Sequence, residues 1–231
     1  MSHKGLLMLE IIIAIDGYSG TGKSSTAKAV SKHFGYKYLD SGAMYRSVAL
    51  SCIQRNIDIS NENEVTALAE KIEIGFNKLG NVFINGNEVT QEIRSMEVNN
   101  AVSVVSQYKG VRTAMVQQQR QLSKDEGVVM DGRDIGTVVF PDAELKVFMT
   151  ASPEVRADRR QKELHQKGVD ENLSDILKNL VERDEMDSNR LESPLKKANG
   201  VIVIDTSNLK FADQVSEIVL LAEKIINEGR D

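Results

Sequence analysis

Ile11-Ile12-Ile13-Ala14-Ile15-Asp16-Gly17-Tyr18-Ser19-Gly20-Thr21-Gly22-Lys23-Ser24 is the stretch that decides the fold. Its first five residues are apolar and mostly β-branched, and Ile11–Asp16 reads as a strand buried on both faces. Gly17–Ser24 then matches G-x-x-x-x-G-K-S, and a helical pattern runs on to about Phe34. A glycine-rich turn between a strand and a helix start aims its N–H groups at a phosphate without Cβ clashes, and the helix adds the positive end of its dipole. Gly17, Tyr18, Ser19, Gly20, Thr21, Gly22, Lys23, Ser24 and Ser25 are therefore expected to hold the phosphates of ATP or GTP. Lys23 should bridge the β- and γ-phosphates, and the Ser24 hydroxyl should ligate Mg²⁺. Lys23 is expected in a solvent-accessible loop, so that its loss removes charge and little packing.

Working outward, four more short apolar runs read as buried strands: Tyr36–Asp40, Gly127–Asp131, Leu145–Thr150 and Val201–Asp205. Helical patterns separate them, which predicts an α/β fold with about five parallel strands flanked by helices. Ser152-Pro153 fits an N-cap followed by proline at the first helical position. Phe211, Val215, Ile218, Val219, Ala222, Ile225 and Ile226 form one apolar stripe on a final helix that packs on the core. Residues 71–90 break the rhythm. Two strand-like runs, Ile72–Asn77 and Val82–Ile84, are joined by a turn at Lys78–Asn81, and Asn85-Gly86 signals a further hairpin. This predicts a small antiparallel unit inserted into the α/β domain, with the polar segment Ser60–Glu64 at its boundary.

Composition limits the function. The net charge of −5 disfavours a general nucleic-acid binder, yet the arginines cluster, which suits a small polyanionic ligand. The single cysteine, Cys52, excludes an internal disulfide and a cysteine metal cluster, and it is expected to be a small buried hydrophobe. His3, His33 and His165 show no ligand spacing and are expected at the surface. No apolar run approaches a membrane span, and Met1–Glu10 is too weakly apolar for a secretory signal, so a reduced cytoplasmic setting is expected.

Three clusters point to an acceptor site. Leu39-Asp40-Ser41-Gly42-Ala43-Met44-Tyr45-Arg46 follows the second strand, so Ser41, Tyr45 and Arg46 should face the crevice at the carboxyl ends of the strands. The plainer reading is a helix cap with an exposed arginine. Met130-Asp131-Gly132-Arg133-Asp134-Ile135-Gly136-Thr137 follows the third strand. Arg133, flanked by Asp131 and Asp134, reads as held rigid and aimed at a phosphate, with a solvated turn as the alternative. In the predicted helix from Leu173 to Arg190, the apolar face of Leu173, Ile176 and Leu180 continues as Arg183, Asp187 and Arg190. An apolar face prolonged by arginines should overhang a wet anionic site. Arg156, Arg159 and Arg160, on the preceding helix, are either further lid cations or ordinary surface charge.

With these blocks in order, and with Glu92-Ile93-Arg94, Asp131–Ala143 and Arg183-Asp184-x-x-Asp187-x-x-Arg190, the chain from about residue 11 onward resembles the bacterial cytidylate kinases. The resemblance implies a P-loop kinase core at 1–62 and 105–231, a lid at about 152–190, and an inserted nucleotide-monophosphate-binding unit at 63–104. It implies Ser41, Arg46 and Arg133 at the acceptor nucleotide, with Ser103, Arg112 and Asp134 on the cytosine. Arg183 and Asp187 would hold the ribose. Arg190, helped by a lid arginine such as Arg159, would meet the transferring phosphate, so that Lys23, Arg133, Arg159 and Arg190 carry catalysis. The implied reaction transfers a phosphoryl group from ATP, with Mg²⁺, to CMP or dCMP, in a cytoplasmic monomer without nucleic-acid or membrane partners. Tyr18 stands where the family often has proline. A switch GTPase is disfavoured because Asn77-Lys78-Leu79-Gly80 lacks the aspartate of a guanine-reading motif. The Asp-Gly-Phe-Pro-Arg block of adenylate kinases is absent. A kinase for another small acceptor such as UMP, AMP or shikimate remains open, as does a non-catalytic nucleotide-binding module.

Overall fold

The computed structural model describes residues 10–77, 79–124, 126–166 and 168–229. The expectations for His3 and for the start of the chain lie outside them, as does Lys78 of the first turn. The sheet-forming strands are β1 (Ile12–Gly17), β2 (Lys37–Asp40), β6 (Val128–Gly132), β7 (Leu145–Thr150) and β8 (Ile202–Asp205). All five pair in parallel in the order β2-β6-β1-β7-β8, so the glycine loop leaves the central strand. Each expected strand is present to within one residue at either end. Alternate residues of β1 serve opposite faces of the sheet, as a period of two requires. Ile13 and Ile15 pack with Val147, Met149 and the helices α1 (Lys23–Phe34) and α8 (Phe211–Glu228), while Ala14 packs with Leu39, Met130, Ile135 and Val139. Phe211 of the predicted stripe is the exception, more than half exposed at the helix start.

The remaining helices are α2 (Ser41–Gln54), α3 (Glu62–Ala69), α4 (Met96–Val105), α5 (Lys109–Leu122), α6 (Pro153–Gln166) and α7 (Leu173–Asn189). Asp40 caps α2 by accepting from the Ala43 N–H at 2.8 Å, so Ser41 is the first helical residue rather than the cap. Ser152 meets the Val155 N–H at the start of α6.

The antiparallel unit is a three-stranded sheet of β3 (Ile74–Phe76), β4 (Val82–Ile84) and β5 (Asn87–Glu88). Asn85 and Gly86 have φ of +48° and +83°, the left-handed pair that a tight hairpin turn demands. One apolar cluster runs from Met44, Val48 and Cys52 of α2 through Ile74, Val82 and Ile84 to Val111 and Met115 of α5. Cys52 is fully buried within it. The helical pair α6–α7 has a small cluster of its own, Ala157, Ile176 and Leu180. His33 and His165 lie at the surface.

Candidate active site

Gly17 ends β1 and opens the phosphate loop. Its φ is +144°, and a Cβ there would stand 2.0 Å from the Met149 carbonyl oxygen, so β7 leaves room for glycine alone. Among the described residues no side chain caps the first turn of α1, whose N–H groups are left available to an anion. Lys23 departs from expectation. As the first residue of α1 it is only 5% exposed, because its stem turns back under its own loop. The ammonium donates to the Tyr18 carbonyl, and to Thr21 Oγ1 at 3.4 Å. Burial, then the neighbouring Arg133, pushes its pKa down to about 7.

Beside the loop, the Ser24 hydroxyl donates to Asp131 Oδ2 at 2.7 Å and the Tyr38 hydroxyl to Oδ1 at 2.9 Å. Burial, then the neighbouring Asp40, raises the Asp131 carboxyl to about 6. Asp131 thus serves the serine side of the site rather than flanking Arg133 as a brace. A serine hydroxyl and a carboxylate one hydrogen bond apart are hard oxygen donors, and this pair fits Mg²⁺. Asp16, one residue before the loop, accepts from the N–H groups of Ile135 and Gly136, each at 2.8 Å, and so pins the segment after β6 to β1. Its carboxyl is likewise raised to about 6, by burial first.

The loop opens onto a cleft of about 440 Å³. Ser19, Gly20, Gly22, Lys23, Ser24 and Ser25 line it on one side, whereas Gly17, Tyr18 and Thr21 stand behind that wall. Every predicted acceptor residue lines the cleft as well: Ser41, Tyr45, Arg46, Ser103, Arg112, Arg133, Asp134, Arg183, Asp187 and Arg190, with Asp131 beside Ser24. Most of its arginines are already tied to carboxylates. Arg46 donates to Asp40 at 3.1 Å. Arg133 donates through Nε to Asp187 of α7 at 2.8 Å, so its brace comes from α7 and not from its sequence neighbours. Arg112 reaches Asp134 at 2.5 Å and the Ser106 carbonyl at 2.9 Å, and its guanidinium lies 5.1 Å from the centre of the Tyr45 ring. Asp134, 3% exposed, is therefore a paired carboxylate and not a free acceptor.

Arg190 follows the last residue of α7. It donates to the Ser193 carbonyl at 2.7 Å and lies 3.7 Å from Asp134 and 3.6 Å from Asp187. Arg183 differs: among the described residues it forms no ion pair, and burial, then Arg133, lowers its pKa. Leu173, at the open start of α7, is 44% exposed and stands apart from the buried Ile176 and Leu180.

Arg159 is not on the cleft wall. It donates to Thr206, to the carbonyl at 2.6 Å and the hydroxyl at 3.0 Å, and so braces β8 against the loop. Arg160, one residue on, does line the cleft, beside Glu163. Sequence reasoning did not select Asp40, Arg94, Asn99 and Ser106, which also line it, and it named Arg160 only among candidate lid cations. Arg94 was legible in Glu92-Ile93-Arg94, and Arg160 in its spacing from Arg156. Asp40 was concealed by its position as the last residue of a strand.

A glycine loop on the central strand, with the strands' carboxyl ends opening onto an arginine-lined cleft, defines the class: this is a P-loop kinase fold. The model of the family described as cytidylate kinase matches residues 13–224. A cytidylate kinase of Parabacteroides distasonis is 48% identical over 215 residues, covering 90% of this chain and 94% of the relative. One of Clostridioides difficile strain 630 is 44% identical over 212 residues, covering 92% and 98%. The chain belongs to the cytidylate kinase family. Among solved structures, a gluconokinase from Sinorhizobium meliloti 1021 aligns over 95% of each chain at 18% identity, with a TM-score of 0.47.

Proposed function

We propose that the enzyme transfers the γ-phosphoryl group of ATP to CMP, and to dCMP, giving ADP and the nucleoside diphosphate. The observation that carries this reading is the opposition of the phosphate loop to the arginine–carboxylate wall across one cleft, with the buried Arg112–Asp134 pair on that wall. The acceptor's phosphate is already an anion, so the transfer needs no general base; positioning and charge stabilisation suffice.

Lys23 and the N–H groups at the start of α1 hold the donor phosphates. Ser24 and Asp131 would hold Mg²⁺, which supplies charge neutralisation at the phosphates. Ser41, Arg46 and Arg133 receive the acceptor's phosphate, and Tyr45 supports Arg112. Ser103, Arg112 and Asp134 read the cytosine, whose amino group donates where uracil presents a carbonyl. Arg183 and Asp187 hold the ribose. Arg190 and the cleft-facing Arg160 meet the charge that develops on the transferring group, while Arg159 braces Thr21 and Thr206. Residues 63–104 serve as the acceptor-binding insert and about 152–190 as the lid, in a cytoplasmic monomer.

ADP release followed across CMP, dCMP, UMP, AMP and shikimate tests the reading. CMP is expected to give the highest kcat/KM. Equal use of CMP and UMP would overturn the base-pocket assignment, and no release with any nucleoside monophosphate would overturn the activity.

A further inference from the structure

The phosphate loop is gripped from above by both lid helices, at a single residue. Asp184 of α7 accepts from the Ser19 N–H at 3.3 Å, and Arg156 of α6 donates to the Ser19 carbonyl at 3.1 Å. The two side chains also hold each other, Arg156 Nη1 to Asp184 Oδ2 at 2.5 Å. Arg156 is 4% exposed and Asp184 8%. Arg156 is anchored further by its Nε on the Ala151 carbonyl at 3.1 Å, and its guanidinium lies 5.4 Å from the centre of the Tyr18 ring. At the next residue of the loop, a Cβ on Gly20 would lie 3.2 Å from Arg156 Cβ, so loop and helix touch.

Neither residue of the pair lines the cleft, but each sits next to groups that do. Arg160 follows Arg156 by one helical turn, and Arg183 and Asp187 flank Asp184 on α7. Asp187 in turn holds Arg133 at 2.8 Å. A displacement of the loop at Ser19 would therefore pass through one buried ion pair into the arginines facing the acceptor. A buried pair of this kind is a poor source of net stability, because desolvation offsets its attraction, and its best-attested value is in fixing one arrangement over others.

We propose that Arg156 and Asp184 are positioning residues that couple the two substrate sites: occupation of the phosphate loop sets the lid arginines, and the acceptor binds more tightly as a result. By linkage the effect is reciprocal, so the acceptor tightens donor binding by the same factor. This inference rests on the kinase reading above, with the phosphate loop and the arginine wall as its two sites.

The test measures the dissociation constant of CMP by calorimetry, with and without saturating Mg-ADP, in the wild type and in Asp184→Asn and Arg156→Lys. The asparagine is isosteric and can still accept from Ser19 while losing the ion pair. The lysine keeps the charge but, as a compact ammonium without the planar fork, cannot reach Ala151, Ser19 and Asp184 at once. Wild type is expected to bind CMP at least about fivefold more tightly with Mg-ADP present. Both variants should reduce that factor to within about twofold of unity, with each ligand alone bound nearly as in wild type. Turnover should fall about tenfold or more while the KM for ATP changes little. Thermal unfolding checks that the variants are folded, and if Asp184→Asn is not, Arg156→Lys decides. A wild-type factor of one, or a factor preserved in a folded variant, overturns the coupling. Failure of the wild type to bind CMP or Mg-ADP at all overturns the kinase reading instead.

Discussion

The two walls of the cleft are built on different plans. The donor wall is contiguous: a loop and the first turn of one helix, mostly backbone, with one buried ammonium. The acceptor wall is dispersed, with side chains from α2, α4, α5, the end of β6 and α7, and most of its arginines are tied to carboxylates. A phosphate held by backbone needs only a local chain path, and that path is written in consecutive residues. A base and a ribose demand groups from several directions, which no single segment can supply.

The largest effect should come from the one side chain on which the donor wall depends. Lys23→Met keeps the buried stem and removes the charge, so it is a cleaner change than alanine in a site only 5% exposed. Turnover should fall on the order of 10³-fold, as for the loss of a group aimed at developing charge. Mg-ATP should still bind, because the N–H groups of the loop remain. If binding disappears together with turnover, the donor wall is not chiefly backbone and the contrast fails.

The acceptor wall is sharpened by Arg190→Ala. Its guanidinium bridges Asp134 and Asp187, so its loss should lower turnover about 10²-fold and raise the KM for CMP, with the KM for ATP nearly unchanged. An unchanged turnover with a raised KM for ATP would move Arg190 to the other wall.

A smaller effect is expected at the base. Asp134→Asn should lower the preference for CMP over UMP about tenfold. The change is bounded because Asp134 keeps Arg112 as a partner whichever base is present, so it is never the wholly unpaired charge that would cost several kcal/mol. A preference unaltered in this variant would remove Asp134 from base reading.

The smallest effect is one of pH. The Lys23 pKa of about 7 means that the ammonium is largely neutral at pH 8, while phosphate binding favours its charged form. Mg-ATP binding should therefore take up a proton at pH 8, and affinity should fall by a few-fold in all, less than about tenfold, as pH rises above 7. Calorimetry in buffers of different ionisation enthalpy reads the proton directly, and Lys23→Met should abolish it. Folding responds in the opposite sense. The unfolded chain binds more protons at Lys23 between about pH 7 and 10.5, so that contribution to stability grows as pH rises through this window. Asp16 and Asp131, raised to about 6, contribute stability that is lost as pH rises from about 4 to 6.

The same contrast explains what was legible in the sequence. The five strands, the inserted hairpins and the glycine loop are local patterns, and each was found to within a residue or two. The acceptor residues were reached through short blocks that could be quoted, but their partners could not be read from spacing. Nothing in Asp131-Gly132-Arg133-Asp134 reveals that the two aspartates turn away from the arginine between them, one to Ser24 and one to Arg112. Asp184 stands in the block Arg183-Asp184-x-x-Asp187-x-x-Arg190, but spacing gives it no role, and only the packing of α7 on the loop makes it a buried partner of Arg156. Helical periodicity placed Ile176 and Leu180 inside, but it could not tell that Leu173 sits at an uncovered helix start.

The strand order has a consequence for the nascent chain. β1 leaves the ribosome well before its neighbours in the sheet, β6 and β7, which end at Gly132 and Thr150. Its run of isoleucines must wait for them, on the order of ten seconds at about 5–20 residues per second. In that interval α2 through α5 can already gather their shared apolar cluster, since all its members precede β6. The segment that carries the phosphate loop is thus synthesised before its sheet partners and ordered only with them. During translation, that run of isoleucines is a place where a chaperone would be expected to bind until β6 and β7 arrive.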